Sequence, residues 1–249
     1  MQTLGNLLQR GLSTLGSCAV CGRWPAAAIC NDCRLAFGAT VPRCPKCALA
    51  LAPGLIFCSD CAGSAPPERP PWLLHECVAR VDYVYPWSDL IAQFKFQQKP
   101  AWAHHLAKML TDDEAVMRVL GTCEVLAPIP LTPSGLVTRG YNQSWELLKA
   151  VTGGKRMDWA PCHNLLMRTD MATQQHRLSR SERLTNQQLR FAVPSHLRKR
   201  ILNRHVLLVD DVLTTGATLN AAASTLLDAG ADRVSGLVFA RTPVNPRNG

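Results

Sequence analysis

Residues 206–218, with the sequence VLLVDDVLTTGAT, constrain the fold more than any other stretch of this chain. The apolar run 206–209 predicts a strand buried on both faces, which stops at Asp210 and Asp211 and leads into a loop rich in threonine. An apolar stripe at helical spacing follows, made of Leu219, Ala222, Ala223 and Leu226. A second apolar run at 234–240 completes a β-loop-α-β unit, so we expect two parallel strands joined by a crossover helix.

The loop of this unit has the chemistry of a phosphate site. Its residues are Thr214, Thr215, Gly216, Ala217 and Thr218. Unpaired backbone N–H groups and the helix dipole at a helix N-terminus attract an anion, and threonine hydroxyls add donors. Asp210 and Asp211 would suit ribose hydroxyls or a hydrated Mg²⁺. The alternative is an ordinary strand-to-helix turn capped by Thr215 or Thr218.

The pattern Val-Asp-Asp-Val-x-Thr-Thr-Gly-x-Thr at 209–218 resembles the phosphoribosyl pyrophosphate (PRPP) motif of type I phosphoribosyltransferases. The resemblance implies a Rossmann-like parallel sheet with flanking helices, and PRPP accompanied by Mg²⁺ as ligand. We therefore expect an α/β fold of the type I phosphoribosyltransferase kind.

Four Cys-x-x-Cys pairs lie near the start of the chain and predict a small metal-built module. They are Cys18 and Cys21, Cys30 and Cys33, Cys44 and Cys47, and Cys58 and Cys61. Two pairs complete a closed tetrahedral site, so we expect a four-cysteine zinc-ribbon module with two structural Zn²⁺ ions. We favour sequential pairing because it gives the shortest loops, while a cross-braced pairing stays open.

Composition places the chain in a broad class. The formal net charge is +9, and two zinc sites with four thiolates each would lower it by four to +5. No apolar run is long enough to span a membrane and residues 1–16 lack signal-peptide features, so we expect no membrane insertion and a cytoplasmic location. The proline-rich segment 63–71 predicts a linker between a double zinc ribbon at 1–62 and a phosphoribosyltransferase-like domain at 72–249.

Two cations are candidates for the same phosphate-binding cleft. Lys95 lies beside the apolar stripe of a helix predicted at about 88–98, where it is either solvated or part of a site. Arg139 precedes Gly140 and a helix start that Asn142 can cap. Arg139 is either simply exposed or aimed at a pyrophosphate group.

Positive charge concentrates in residues 168–204, which contain nine Lys and Arg against two acids. Such a run is usually a solvated face, but here it precedes the phosphate-binding strand and could follow a polyanion. The nucleic-acid candidates in this run are Arg168, Gln175, Arg177, Arg180, Arg183 and Asn186.

Nearly the whole chain resembles the ComF family of competence and DNA-utilization proteins. The matching features are the cysteine pairs, Lys95-Phe96, Pro128-Ile129-Pro130, Arg139-Gly140-Tyr141-Asn142-Gln143, Arg168-Thr169, Gln175-x-x-Leu178, Arg183-x-x-Asn186 and the Asp210-Asp211 motif. The usual phenylalanine is replaced by Tyr141. The resemblance implies a role in handling DNA that has entered the cell, with DNA-uptake or processing proteins as partners.

Two functions remain open at this level. The first is a protein that binds single-stranded DNA and a PRPP-like ligand, and the second is an active transferase that moves a phosphoribosyl group from Mg-PRPP to a base. Fold and motif can outlast chemistry, and we identify no general base in the sequence, so we favour binding.

Overall fold

The computed structural model describes residues 16–64, 71–153, 161–168 and 191–244. The helices are α1 (Asn31–Phe37), α2 (Trp87–Phe96), α3 (Trp102–Thr111), α4 (Glu114–Thr122), α5 (Pro133–Arg139), α6 (Gln143–Thr152), α7 (Arg198–Ile201) and α8 (Ala217–Asp228). The strands are β1 (Cys77–Asp82), β2 (Val125–Pro128), β3 (Met167–Arg168), β4 (Phe191–Ala192), β5 (His205–Leu213) and β6 (Arg233–Arg241). Within these ranges, no helix combines the length and the apolar composition needed to cross a bilayer.

The centre of the fold is a parallel sheet with strand order β1-β6-β5-β2. The predicted β-loop-α-β unit is confirmed, because β5 and β6 pair in parallel on either side of α8. One detail differs from the expectation. Strand β5 does not stop at the two aspartates but continues to Leu213, since Val212 and Leu213 pair with Ala240 and Arg241 of β6.

The sheet is buried on both faces, as its continuous apolar runs predict. Leu207 and Val209 of β5 pack on one face with Leu147 and Leu148 of α6. The alternate residues Val206 and Leu208 pack on the other face with the apolar stripe of α8. Helices α6 and α8, which follow the neighbouring strands β2 and β5, therefore cover opposite faces. In open α/β sheets, ligands bind in the crevice at such a point, outside the carboxyl ends of the strands.

The cysteine-rich segment packs against the sheet and its helices. Cys18, Cys30 and Cys33 belong to the same apolar core as Trp87, whose Nε1 donates to the Phe37 carbonyl at 2.8 Å. Further along, Arg43 Nη1 is 2.7 Å from Asp82 Oδ1 at the end of β1. The division into domains at 62 and 71 stays a prediction, and residues 65–70 of the predicted linker lie outside the described part of the chain.

Candidate functional site

A cleft of about 290 Å³ opens at the carboxyl ends of β2 and β5. It brings together seven predicted site residues: Lys95, Arg139, Arg168, Asp210, Asp211, Thr214 and Thr218. The remaining lining residues are Tyr83, Ile129, Pro130, Leu131, Gln143, Ser144 and Val212. Side chains from α2, α5, α6, β3 and β5 therefore meet around one space, at the position where the sheet topology favours a ligand.

The acidic pair, Asp210 and Asp211, provides the negative charge that lines this cleft. Asp210 Oδ1 accepts hydrogen bonds from Ser144 Oγ at 2.8 Å and from the Asp211 backbone N–H at 2.9 Å. Burial, followed by the charge of Asp211, raises the pKa of Asp210 to about 7. Asp211 is itself buried, and its Oδ1 lies 2.8 Å from Lys95 Nζ. Lys95 thus neutralises one carboxylate, while the other titrates near neutral pH.

The threonine loop, residues 214–218, contributes side chains to two different cavities. Thr214 and Thr218 line the cleft, whereas Thr215 lines a separate cavity of about 300 Å³ next to the second group of cysteines. The Thr215 hydroxyl accepts from the Ala217 N–H at 3.3 Å, but the N-cap of α8 is Gly216, so neither Thr215 nor Thr218 caps the helix as the alternative expected. Gly216 has a φ of 87° and lies against the Trp72 ring so closely that a Cβ would overlap it. A glycine is therefore required here by both backbone conformation and space.

Asn142 and Arg139 shape the opposite wall. Asn142 Oδ1 caps α6 by accepting from the N–H groups of Ser144 at 2.9 Å and Trp145 at 3.3 Å. Arg139 ends α5 with its guanidinium 5.3 Å from the centre of the Phe96 ring. Its Nη1 donates to Gln143 Oε1 at 3.2 Å. The guanidinium is therefore oriented by an aromatic ring and a neutral amide, neither of which cancels its charge.

Gln143 and Ser144 were not among the predicted site residues. Both are buried, with Gln143 only 1% exposed, and both line the cleft. Among the residues that the structure describes, Gln143 Nε2 is a buried donor without a hydrogen-bond partner. Their position directly after the Arg-Gly-Tyr-Asn sequence was the available signal, but a polar residue in the first turn of a helix usually faces solvent.

Arg168 is the part of the predicted basic segment that the structure places at the cleft. Its guanidinium lies 5.8 Å from the centre of the Phe191 ring, across the two-stranded pair of β3 and β4. The other nucleic-acid candidates lie outside the described residues: Gln175, Arg177, Arg180, Arg183 and Asn186.

The eight paired cysteines form two groups, and within each group all four Sγ atoms lie within 4.8 Å of one another. The groups are Cys18, Cys21, Cys30 and Cys33, and Cys44, Cys47, Cys58 and Cys61. This is the sequential arrangement, and no cysteine in either group forms a disulfide. With Zn–S bonds of about 2.3 Å, a tetrahedral site has sulfurs about 3.8 Å apart.

The sulfur positions fit such a metal. Cys18 and Cys33 have their Sγ atoms 3.9 Å apart, and Cys21 and Cys30 have theirs 3.7 Å apart. Although burial acts in the opposite direction, backbone hydrogen bonds from Cys30 and Cys21 lower the pKa of Cys18 to about 6. The same balance lowers the pKa of Cys44 to about 7. Both groups can therefore hold Zn²⁺ through four sulfurs, which leaves no open position for catalysis.

Arg241 connects the second cysteine group to the threonine loop. It is buried and donates through Nε to the Cys47 carbonyl at 2.9 Å. Its Nη1 donates to the Leu213 carbonyl at 3.0 Å and also to the Thr214 carbonyl. One guanidinium thus joins the backbone of the second cysteine group to the backbone of the threonine loop.

Comparisons with known proteins agree with this architecture. The Phosphoribosyl transferase domain family matches residues 168–247. The DNA utilization protein YhgH of Escherichia coli (strain K12) is 31% identical over 240 residues, which cover 93% of this chain and 99% of the relative. Competence protein F of Haemophilus influenzae is 28% identical over 209 residues, which cover 83% of this chain and 87% of the relative.

A solved hypoxanthine phosphoribosyl transferase of Trypanosoma cruzi aligns over 58% of this chain and 65% of its own, at 16% identity and a TM-score of 0.32. That alignment is too weak to add to the sequence comparisons. The nearly end-to-end similarity to YhgH confirms the predicted family and, with the parallel sheet and the two cysteine groups, the predicted fold class. The chain belongs to the ComF family of competence and DNA-utilization proteins, with a type I phosphoribosyltransferase-like fold and two four-cysteine groups near its amino terminus.

Proposed function

We propose that this protein handles internalised DNA in the cytoplasm, for transformation or as a nutrient, by binding single-stranded DNA and a PRPP-like ligand. The names of its relatives support the DNA role, since they are a DNA utilization protein and a competence protein. One observation supports the PRPP-like ligand: a single cleft is lined by the acidic pair, two loop threonines and Arg139.

Each part of a phosphoribosyl ligand has a matching partner in this cleft. The hydroxyls of Thr214 and Thr218 and the N-terminus of α8 suit the 5-phosphate. Asp210 and Asp211 suit the ribose hydroxyls, and Arg139 suits the diphosphate. A volume of about 290 Å³ is at the small end of ligand pockets and matches a sugar phosphate better than a whole nucleotide chain.

Mg²⁺ fits the same residues, because carboxylate oxygens and phosphates are its preferred ligands. Asp210 and Asp211 would hold the ion together with the phosphates of PRPP, and the ion would neutralise charge on the diphosphate. Zn²⁺ fits the two cysteine groups and would stabilise the fold of the segment that contains them.

Single-stranded DNA would contact the basic segment that begins at Arg168, at the edge of the cleft. Arg168 lies over Phe191, which provides a cation and an aromatic ring at one place. Binding through such phosphate contacts weakens as salt is added. For single strands, the logarithm of the binding constant falls by about 0.7 per contact for each tenfold increase in salt concentration.

A transferase is the second candidate, and the two adjacent carboxyl groups of Asp210 and Asp211 in one cleft with Arg139 favour it. In that reaction, the bond from ribose C1 to the diphosphate oxygen breaks and a bond from C1 to a base nitrogen forms. Diphosphate leaves towards Arg139, the base releases its proton to solvent, and the carboxylates of Asp210 and Asp211 would stabilise the positive charge that develops at C1.

Ligand-induced thermal stabilisation tests the proposal. At 100 times its Kd, a ligand adds about 2.7 kcal/mol, which raises the Tm of a chain of this size by about 5–11 °C. We expect Mg-PRPP to produce this shift in the wild type and Asp211→Asn to abolish it. Asp228→Asn, the same change on the exposed end of α8, is the matched control.

Binding of a single-stranded oligonucleotide is measured in parallel over a series of salt concentrations. We expect it to survive Asp211→Asn and to weaken steeply with salt. If Mg-PRPP does not raise the Tm, PRPP is refuted as the ligand. If the affinity for the oligonucleotide does not change with salt concentration, the basic segment is refuted as a DNA contact. Incorporation of a labelled base from PRPP into a nucleotide would place the transferase first.

A further inference from the structure

Gln143 is a buried polar side chain, and among the described residues only one of its two polar atoms has a hydrogen-bond partner. It is 1% exposed at the start of α6, and its Oε1 accepts from Arg139 Nη1 at 3.2 Å. Its Nε2 is buried and has no partner among the described residues, although the side chain lines the cleft. A buried amide donor without a partner is costly in a folded protein, so its presence at a cleft points to an acceptor brought by a ligand.

The surroundings of Nε2 define which acceptor this is. Arg139 brings a positive charge to the same amide, and the N-terminus of the ten-residue helix α6 adds the positive end of its dipole. The first free N–H groups of α6 are used by the Asn142 cap, and Ser144 Oγ donates to Asp210. These donors are already occupied, so Nε2 of Gln143 is the donor that remains beside the positive charge of Arg139, and this combination suits an oxyanion.

The choice of glutamine over glutamate has a chemical reason here. A glutamate at 143 would orient Arg139 equally well, but its charge would cancel that of the guanidinium and repel an anion. A glutamine accepts from Arg139 on one side and keeps a donor on the other. It thus orients the cation without neutralising it.

We propose that Gln143 is a ligand-binding residue that donates from Nε2 to the diphosphate of the bound ligand and simultaneously positions Arg139 on the same group. This inference rests on the proposed phosphoribosyl ligand and assigns its two ends. The 5-phosphate lies on the loop of Thr214 and Thr218, and the diphosphate lies at the start of α6. Ribose 5-phosphate carries no diphosphate, so only PRPP and pyrophosphate would make the contact to Gln143.

The test compares inorganic pyrophosphate, Mg-PRPP and ribose 5-phosphate by calorimetry on the zinc-loaded, full-length protein. Gln143→Glu keeps the contact to Arg139, but it removes the donor and adds a negative charge. We expect it to weaken the binding of pyrophosphate and PRPP by at least about 10-fold to 100-fold, the value of a charge-assisted hydrogen bond to which repulsion is added, while the affinity for ribose 5-phosphate changes less than about twofold.

Gln93→Glu is the matched control, because Gln93 Oε1 likewise accepts from a cation, Lys99 Nζ at 3.2 Å, on exposed surface. It should leave all three affinities unchanged. Gln143→Met, which has no polar atoms on its side chain, should also weaken pyrophosphate and PRPP selectively. Equal weakening of all three ligands in both Gln143 variants would indicate a role in structure alone and overturn the inference.

The two proposals fail in different ways. If the wild type binds PRPP and Gln143→Glu binds it equally well, the role of Gln143 is refuted while the proposed ligand stands. If the wild type binds pyrophosphate through Gln143 but neither PRPP nor ribose 5-phosphate, the anion site is supported and the phosphoribosyl ligand is refuted. If the wild type binds none of the three, both are refuted.

Discussion

Replacing Lys95 by methionine should destabilise the protein far more than an ordinary surface change. The Lys95 side chain is 18% exposed and lies 2.8 Å from Asp211 Oδ1, whose side chain is 7% exposed. Removing one partner of a fully buried pair costs about 3–5 kcal/mol, and the partial exposure of Lys95 lowers our expectation to about 2–3 kcal/mol. Methionine keeps the apolar stem, so the loss isolates the charge.

The pH dependence of this loss has a definite sign. Burial and the charge of Asp211 raise the pKa of Asp210 to about 7, while Lys95 opposes that rise. A carboxyl whose folded pKa exceeds its unfolded pKa destabilises the fold increasingly as pH rises from about 4 to the folded value. Lys95→Met raises that value further. The deficit should therefore be larger at pH 8 than at pH 5, by about 1 kcal/mol or more.

Urea unfolding of zinc-saturated protein, followed by tryptophan fluorescence and circular dichroism, measures the free energy of unfolding. Lys149→Met is the matched control, because Lys149 lies at the same distance of 2.8 Å from Glu146 but the two side chains are 47% and 24% exposed. We expect it to cost less than about 1 kcal/mol. Equal losses in the two variants, or a Lys95→Met deficit that does not change with pH, would refute the electrostatic interpretation of the cleft.

Two further predictions concern the loop and the metal. Gly216→Ala should cost about 2–5 kcal/mol, the sum of about 1–2 kcal/mol for its φ of 87° and about 1–3 kcal/mol for overlap with Trp72. Gly140→Ala, at a φ of 78° with no atom near the added Cβ, should cost only the first part, and equal urea midpoints would contradict the overlap. The wild type should release two Zn²⁺ per chain to a chelating dye on denaturation, and Cys30→Ser should release one tightly bound ion. A wild-type ratio of one ion per chain would contradict two separate sites.

The sequence by itself determined the elements whose signals are local. The apolar run before Asp210 and the helical stripe after it predicted β5, α8 and β6, because a period of two or 3.6 residues is read within one segment. The cysteine spacing also acted locally. Joining neighbouring Cys-x-x-Cys pairs closes the shortest loops and so costs the least entropy, which favoured the two groups that the structure shows. The cleft was predicted in outline because carboxyl ends of parallel strands meet at one edge.

Tertiary structure alone decided the state of each group in the cleft. The pairing of Lys95 with Asp211, the raised pKa of Asp210 and the unpartnered amide of Gln143 all depend on residues far apart in sequence. The same holds for Arg241, which connects the Cys47 carbonyl to the threonine loop. Burial and hydrogen-bond partners set the energy of a polar group, and both are fixed only when distant elements pack. A local pattern names the polar residues of a site, whereas the packed fold determines which of them are paired and which remain available to a ligand.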